Sequence, residues 1–558
     1  MHTQKEAVTI TRYRDRVMSC WLGKAVGGTL GMPFECQDGP FDVDFYTPIP
    51  TEMLPNDDLD LQVLWACLLD KMDDIRVDRH ILATGWRDHC EFPWDEYGVA
   101  LRNIAEGLTP PQTGSFDNWF TRGMGAAIRS ELWACLAPGD PALAAKYAYE
   151  DACVDHDGEG IWAEVFLAAL QSAAFSESDP GVLLDAAEAA LPVSSEVRQA
   201  VHDTRVWWRE SPDWLAVRTK ILEHWGHENA TDVVMNLAVT VLSWLAGEGD
   251  FSRTICIATN CGKDTDCTAA TVGALLGILD PDCIPDRWLA PIGRDLMVSR
   301  EIVGIHPPNT LDGFTDLVLD LRTRLAGRAP DAHSTALPLD DFEFPADIGF
   351  LPLLPEAGSD APPMPHTHTR RRLPGTFAGL PHAELTGEVL LLRLTFTLPI
   401  AREVDVMFNT PEACRVWIDG VYAFGRDGGV MAPSPHRCPP DQSKMLVLEA
   451  GSHSLLAAVR RPFEGRNAEW VALIADPETK QLLPGVFREG VPKLNRQQNR
   501  KRGKASSETL AWPAAAGSRH AQTVPPPAAR PRCTAKSNGF GEPIGLDNAA
   551  AQHCLLPH

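Results

Sequence analysis

The sequence predicts an all-α domain, then a β-sandwich, then a disordered tail. From about residue 8 to 330, apolar residues recur at helical spacing and alternating strand patterns are scarce. From about residue 376 to 488, short β-rich segments are broken by Gly, Pro and Asp, which is typical of a sandwich. After about residue 489 the chain is basic and rich in Ala, Pro and Ser, which predicts disorder.

The helical prediction for residues 8–330 rests on segments of clear periodicity. One helical stripe consists of Leu61, Leu64, Trp65 and Leu68. The segments "GIWAEVFLAALQSAAF" and "DVVMNLAVTVLSWLAGEG" are apolar on nearly every side, which indicates helices buried all round. The segment "DGFTDLVLDLRTRLAG" ends in basic residues and then Gly327, a normal helix stop.

The rest of the chain divides at changes of composition. Residues 331–375 carry many prolines and "HTHTRRR" without a sustained period, so we predict a linker there. Within the β-rich domain, residues 376–488, the segment "WIDGVY" has an Asp-Gly pair between strand-like halves, which predicts a hairpin. Residues 489–558 form the predicted tail. Its basic residues could touch nucleic acid, although a solvated tail without a specific partner is the favoured interpretation.

Composition limits the classes of function. The chain has 558 residues, 44% of them hydrophobic, and a formal net charge of −25. That charge argues against a general nucleic-acid binder, although a local cation could still attract an anionic ligand. The sequence contains no apolar run of the ~18 to 20 residues that a membrane span needs, and its beginning does not resemble a signal peptide. The 14 cysteines form no CxxC pair, so we expect reduced thiols and a cytoplasmic protein.

Three places in the helical region put acids beside glycine or proline. Glu35 ends "GKAVGGTLGMPFE", Asp57 and Asp58 lie in "PNDDLDLQ", and Asp264 and Asp266 lie in "GKDTDCT". Each pair directly precedes an apolar helix. A single such site would most simply be a helix cap that meets the free N–H groups.

Two such sites favour a metal centre instead. Four carboxylates gathered in a poorly solvated place would repel one another and resist ionisation unless a cation joined them. Oxygen ligands favour Mg²⁺, Mn²⁺ or Ca²⁺, and the His- or Cys-dominated spacing of zinc sites is absent from the sequence. This many carboxylates would suit two ions.

Five segments together resemble the ADP-ribosylglycohydrolase family, which includes the dinitrogenase reductase-activating glycohydrolases. They are "GKAVGGTLGMPFE", "NDDLDLQ", "GMGAAIRSELWACLAPGDPALAAKYAYEDA", "DHDGEGIWAEVFLAALQSAAF" and "NCGKDTDCTAATVGALLG". The resemblance covers roughly residues 12 to 325. It implies an all-α fold with a binuclear Mg²⁺ or Mn²⁺ centre that hydrolyses the glycosidic bond at C1″ of an ADP-ribosyl group.

The resemblance also implies roles for residues that match by position. The implied metal ligands are Asn56, Asp57, Asp58, Asp264, Asp266 and Cys267. Glu35 matches the acid that closes the first glycine-rich segment, and we expect it to act as general base or to position the water. A helix-end carboxylate with a structural hydrogen bond is the alternative for Glu35.

The sequence departs from the family pattern at several positions. Asn56 replaces a threonine, but its amide oxygen can still bind a metal. Cys267 replaces another threonine, and soft sulfur suits Mg²⁺ poorly, so either a ligand is lost or Thr268 or water takes its place. Gly28 and Met124 replace an acid and an asparagine of the family pattern. These changes predict a divergent subgroup that acts on a different ribosyl-like or glycosyl compound.

Other residues are candidates for substrate contact. His156 matches a histidine position of the family, with a capping or core histidine as the alternative. Gly123 and Gly125 could let the backbone approach a phosphate or sugar, with turn glycines as the alternative. Asn118 could contact the ligand.

The β-rich domain resembles galactose-binding-like or jelly-roll modules of carbohydrate enzymes, which favours a sugar-containing substrate; a structural or dimerising domain is the alternative. The sequence is compatible with three functions. The first is a metal-dependent ADP-ribosyl glycohydrolase acting on a small-molecule or protein-linked substrate. The second is a glycosidase or nucleosidase that uses the same centre on another carbohydrate. The third is a non-catalytic protein that binds ADP-ribose or a glycan.

Overall fold

The computed structural model describes residues 2–331, 343–366, 369–374, 379–463 and 465–485. The predicted tail at 489–558 lies outside the described residues. Within the described part, residues up to 331 form sixteen α-helices, which confirms the helical domain. They are α1 (His2–Gly31), α2 (Asp57–Asp70), α3 (Arg79–His89), α4 (Asp95–Ala105), α5 (Gln112–Ser115), α6 (Ser130–Leu136), α7 (Pro141–Ala152), α8 (Glu159–Ala174), α9 (Pro180–Ala189), α10 (Glu196–Glu210), α11 (Trp214–Trp225), α12 (Val233–Gly247), α13 (Phe251–Asn260), α14 (Thr265–Leu279), α15 (Asp286–Ile292) and α16 (Leu311–Leu325).

Helices α1 and α14 approach each other closely through glycines spaced four residues apart on α1. A Cβ atom on Gly27 would lie 2.1 Å from the backbone oxygen of Ala269, and one on Gly31 would lie 2.3 Å from that of Thr265. Residues four apart share one face of a helix, so only glycine lets the two backbones touch along this face. The hydroxyl of Thr265 donates a 2.8 Å hydrogen bond to the backbone oxygen of Gly31. The C-terminal end of α1 is therefore fixed against the N-terminal end of α14.

The segment after α1 is also tied to the turn before α14. The backbone N–H of Cys36 donates to the oxygen of Lys263 at 2.8 Å, and the N–H of Lys263 donates to the oxygen of Gln37 at 2.6 Å. Gly262 and Lys263 adopt φ angles of 74° and 72°, which turn the chain into α14. These two bonds bring the acid that follows α1 beside the acids that begin α14.

Eleven strands lie in the described part of the C-terminal region, which confirms that it is strand-rich. They are β1 (Glu343–Leu351), β2 (Thr369–Pro374), β3 (Gly379–Leu380), β4 (Val389–Leu398), β5 (Arg402–Asn409), β6 (Ala413–Ile418), β7 (Val421–Asp427), β8 (Ser443–Leu448), β9 (Gly451–Arg460), β10 (Ala468–Glu469) and β11 (Val471–Ala475). A six-stranded sheet has the order β2-β1-β4-β9-β6-β7, a three-stranded sheet the order β11-β5-β8, and β10 pairs with β3. Side chains of both larger sheets share one apolar core, among them Leu392, Val406 and Val459, as in a sandwich.

The linker expected at 331–375 needs a correction, because strands β1 and β2 lie inside it. Strand β1 pairs antiparallel with both β2 and β4, so long-range pairing makes a strand of a segment whose own pattern is weak. The hairpin expected at "WIDGVY" is confirmed, since Ile418 pairs with Val421 across Asp419 and Gly420. Asp419 and Gly420 adopt φ angles of 49° and 82°, as a tight hairpin turn requires.

The helical and strand-rich regions belong to one compact unit and share apolar contacts. Val99 of α4 and Phe120 lie in one buried cluster with Met407 of β5, Leu473 of β11 and Met431. Among the described residues, each helix is either too short or too polar to span a lipid bilayer.

Candidate metal centre and active site

The ends of three helical segments bring acids into one buried cluster. Ligand atoms of Glu35, Asp264 and Asp266 lie within 4.8 Å of one another, and so do those of Asp58, Asp266 and Cys267. Asp266 belongs to both groups. The pairing expected from sequence, between the acids before α2 and those at the start of α14, is therefore present in the structure.

The carboxylates of the cluster have few hydrogen-bond donors around them. Both carboxylate oxygens of Asp264 and one of Asp266 are buried without a hydrogen-bond partner among the described residues. Burial, and next the charge of Glu35, raises the pKa of Asp264 to about 8. The same causes, in the same order, hold the pKa of Asp266 well above its usual range. A bound divalent cation would stabilise the ionised form of these buried carboxyl groups.

A buried lysine lies behind Asp58. The Nζ atom of Lys24 is 3.2 Å from Oδ1 of Asp58 and 3.1 Å from Oε1 of Glu131, and all three side chains are almost completely buried. Burial alone would lower the pKa of Lys24, but the charges of Glu131 and Asp58 raise it on balance. Gln62 and Gln171 donate further hydrogen bonds to Glu131, at 3.0 and 3.2 Å. Asp58 is thus held from behind by a fixed cation.

The other two residues of the first acidic motif have different surroundings. Oδ1 of Asn56 accepts a 2.8 Å hydrogen bond from the N–H of Asp58, so Asn56 caps α2. Its Nδ2 atom is buried without a hydrogen-bond partner. Asp57 lies outside the two groups of close ligand atoms, and Oδ2 of Asp57 accepts a 3.3 Å hydrogen bond from the hydroxyl of Tyr97. The capping alternative therefore holds for Asn56, while Asp57 remains at the edge of the cluster.

Cys267 and Thr268 behave differently from each other. The sulfur of Cys267 takes part in the group with Asp58 and Asp266, and burial raises the pKa of its thiol well above the usual range. The hydroxyl of Thr268 instead donates to the backbone oxygen of Thr265 at 3.3 Å. The structure therefore brings Cys267, rather than Thr268, beside the acids of the cluster.

Glu35 follows a short 3-10 helix, Met32–Phe34, that continues from α1. Burial raises the pKa of Glu35, and the charge of Arg437 opposes this effect. Arg437 comes from the strand-rich region, where its Nη1 donates to the sulfur of Cys36 at 3.0 Å and its Nη2 pairs with the carboxylate of Asp95. The sulfur of Cys36 lies 3.6 Å from Oε1 of Glu35.

His156 is part of a buried charge network. Its Nδ1 atom lies 3.0 Å from Oδ1 of Asp155, and its Nε2 atom lies 3.4 Å from Oε1 of Glu96. Burial lowers the pKa of His156, but Asp155 and Glu96 outweigh it and raise the pKa to about 9. Arg129, fully buried, holds Asp155 at 2.6 Å. These contacts match the core-histidine alternative better than a histidine facing substrate.

The remaining candidates for substrate contact have internal partners. The N–H of Gly125 donates to Glu96 at 3.1 Å, and a Cβ atom on Gly123 would lie 2.5 Å from the same carboxylate. The side-chain nitrogen of Asn118 donates to two backbone oxygens, and its oxygen accepts from the N–H of Phe120. These internal hydrogen bonds and the close packing at Gly123 favour turn and packing roles over direct contact with a phosphate.

Sequence reasoning missed several residues of this site. Lys24 gave a usable signal, because it is a lone charge in the apolar segment "CWLGKAVGG". Glu96 and Tyr97 lie in the first turn of α4, in a segment without a recognisable motif. Arg437 lies far along the chain, and only the packing of the two regions brings it to Glu35.

The comparison with models of protein families agrees with the resemblance seen in the sequence. The family model described as "ADP-ribosylglycohydrolase" matches residues 9–321, more than half of the chain. A solved structure described as "ADP-ribosylglycohydrolase-related protein complex" is 20% identical to this chain, with a TM-score of 0.40. The match covers 56% of this chain and 99% of the chain in that structure. No curated protein matches the chain. The match of the family model shows that the chain belongs to the ADP-ribosylglycohydrolase family, whose members are hydrolases.

Proposed function

We propose that the protein hydrolyses the C1″ glycosidic bond of an ADP-ribosyl or related ribosyl compound, with Mg²⁺ or Mn²⁺ bound at the acidic cluster. The observation that carries this proposal is the convergence of Glu35, Asp58, Asp264 and Asp266, from separate parts of the chain, on one buried place. We propose a small molecule or a protein-linked ADP-ribosyl group as substrate, and a cytoplasmic location.

The donor set fits a hard divalent cation. Asp264 and Asp266 offer carboxylate oxygens without hydrogen-bond partners, and Asp58 offers the oxygen that Lys24 does not hold. We propose these three as ligands, with Asp57 at the edge, and two ions in total. When bound, the ions supply Lewis-acid stabilisation of the sugar and of the reacting water. Cys267 would make one position softer than in relatives that carry threonine there.

Glu35 is the proposed general base. Hydrolysis forms a bond between a water oxygen and C1″ and breaks the bond between C1″ and the leaving atom. Glu35 accepts the proton that the water gives up, and the leaving group takes up a proton in return. Because burial raises the pKa of Glu35, its carboxylate is a stronger base than an exposed glutamate.

The test uses the full-length protein with Mg²⁺ or Mn²⁺ and a panel of ADP-ribosyl-arginine, ADP-ribosyl-serine, O-acetyl-ADP-ribose and nitrophenyl glycosides. We expect release of the ribosyl product from at least one member, and loss of turnover with a chelator. Glu35→Gln should lower kcat by about 10²- to 10⁴-fold. Glu223→Gln removes an exposed acid and serves as the matched control. Full activity of Glu35→Gln would contradict the proposed role of Glu35.

A second candidate is a glycosidase or nucleosidase that uses the same centre on another carbohydrate. The position of Cys267 within the acidic cluster favours it, because that ligand set departs from the family pattern. Turnover of a nitrophenyl glycoside without turnover of any ADP-ribosyl compound would support this candidate. Binding without any turnover would support a non-catalytic protein instead.

A further inference from the structure

The loop between β7 and β8, residues 428–442, reaches from the strand-rich region to the acidic cluster. The N–H of Met431 donates to Glu228 of the helical domain at 3.4 Å. Further along the loop, Arg437 contacts Asp95 and Cys36, which both belong to the helical domain. The 428–442 loop therefore packs against the helical domain beside Glu35.

The strand-rich region holds this loop in position. Arg426 of β7 donates to the backbone oxygens of Val430 and Gly428, at 2.9 and 3.1 Å. At the other end, the oxygen of Gln442 accepts a 3.0 Å hydrogen bond from the N–H of Phe408. The N–H of Arg437 itself donates to the oxygen of Ser434 at 3.1 Å, which closes a turn. The loop that carries Arg437 is thus held by hydrogen bonds near both of its ends.

The charge of Arg437 is unusual for its surroundings. The residues that gather at the cluster are Glu35, Asp58, Asp264 and Asp266, and Asp95 lies beside them. Bound cations would offset the acids of the cluster, but the net charge of −25 would still repel a negatively charged substrate on its approach. Among the described contacts of Glu35, Arg437 supplies the positive charge.

The guanidinium keeps capacity for a ligand. An arginine has five N–H donors, and the described hydrogen bonds of the Arg437 side chain use Nη1 and Nη2, one of them on a thiol. A thiol sulfur is a weak acceptor, so a phosphate oxygen would replace it with a gain in bond strength. The side chain is 24% exposed, which leaves it accessible from solvent.

We propose that Arg437 is a specificity-determining residue that binds a phosphate group of the substrate, so that the strand-rich region completes the active site. This inference rests on the proposed function, because an ADP-ribosyl compound carries its charge on a diphosphate joined to the ribose. Planar guanidinium groups bind phosphate oxygens in pairs, which fixes orientation as well as charge. The acids at the cluster then act on the ribose while Arg437 holds the charged end.

The test measures the affinity of the full-length protein, in Mg²⁺, for ADP-ribose and for uncharged ribose. Arg437→Gln should weaken ADP-ribose binding by about 10- to 100-fold and leave ribose binding within about twofold. Arg437→Lys should fall between, because lysine keeps the charge but not the paired geometry. Arg402→Gln removes a cation elsewhere in the strand-rich region and is the matched control.

A double variant separates binding from folding. Arg437→Gln leaves the buried Asp95 carboxylate without its cation, so Asp95→Asn together with Arg437→Gln removes both charges of the pair. We expect this variant to fold and to lose ADP-ribose affinity as the single variant does. Equal losses for ADP-ribose and ribose would overturn the inference, because they would indicate a structural role.

Two further outcomes distinguish this inference from the proposed function. If the wild-type protein hydrolyses an ADP-ribosyl compound and Arg437→Gln binds ADP-ribose as tightly as wild type, the inference is overturned and the proposed function stands. If the wild-type protein neither binds ADP-ribose nor hydrolyses an ADP-ribosyl compound, the proposed function is overturned and this inference with it.

Discussion

The Nζ atom of Lys24 on α1 lies 3.2 Å from Oδ1 of Asp58 on α2, and both side chains are 1% exposed. Lys24 also pairs with Glu131, so one buried cation serves two buried carboxylates. In a place so poorly solvated, each of these charges depends on its partner. The pair therefore links the packing of α1 to the orientation of a proposed metal ligand.

Replacing Lys24 with methionine should destabilise the helical domain. The variant keeps a similar side-chain length but leaves Asp58 and Glu131 without their cation, which costs about 3–5 kcal/mol when a buried pair is broken on one side. The apparent unfolding temperature should fall by several degrees, and Mg²⁺ should recover part of the loss. Lys71→Met, at an exposed position, is the control. An unchanged unfolding temperature in Lys24→Met would contradict the role given to this pair.

The stability of the metal-free protein should depend on pH through Asp264. Burial and the charge of Glu35 raise its pKa from 3.8 to about 8, so the folded protein holds a proton that the unfolded chain releases. Between these two values the folded state binds more protons, and stability falls as pH rises. Mg²⁺ needs the ionised carboxylate, so its stabilising effect should grow over the same range. Thermal unfolding with and without Mg²⁺, from about pH 5.5 to about pH 8, measures both trends. Equal stabilisation by Mg²⁺ at both ends of that range would contradict this account.

Replacing Cys267 with serine should change which metal the centre prefers. The sulfur lies within 4.8 Å of ligand atoms of Asp58 and Asp266, and an oxygen there suits Mg²⁺ better than Cd²⁺. We expect Mg²⁺ affinity to rise and the affinity for Cd²⁺ to fall by roughly tenfold. Calorimetric titration of both ions measures the change, with Cys256→Ser on α13 as the control thiol. The same ratio of affinities in Cys267→Ser and wild type would show that the sulfur is not a ligand.

Patterns within short segments predicted much of the fold and the acidic half of the site. Hydrophobic periodicity predicted the helices, because the spacing of apolar residues within a single segment indicates which face is buried. Asp58, Asp264 and Asp266 were predicted because charges before apolar helices need a partner. The structure adds the reason why the segments that carry these acids meet: Gly27 and Gly31 allow α1 to contact α14 closely.

Contacts between distant segments could not be predicted in the same way. Strand β1 lies in a segment predicted as a linker, because its pairing with β4 depends on residues elsewhere in the chain. Arg437 reaches Cys36 only through the packing of the two regions. Asn118 and Gly125 are candidates for substrate contact in the sequence, and in the structure their hydrogen bonds are made within the helical domain. Polar residues beside a glycine look alike in sequence whether they bind a ligand or the backbone.

The central claim is that Asp58 of α2 and Asp266 of α14 belong to one metal centre. The most direct test is a Mn²⁺ titration of the folded, metal-free protein followed by electron paramagnetic resonance. We predict that wild type binds Mn²⁺, that Asp58→Asn and Asp266→Asn each weaken binding by roughly tenfold or more, and that Asp280→Asn at the other end of α14 does not. Folded wild-type protein that takes up no Mn²⁺, or Asp266→Asn that binds it as tightly as wild type, would contradict the claim.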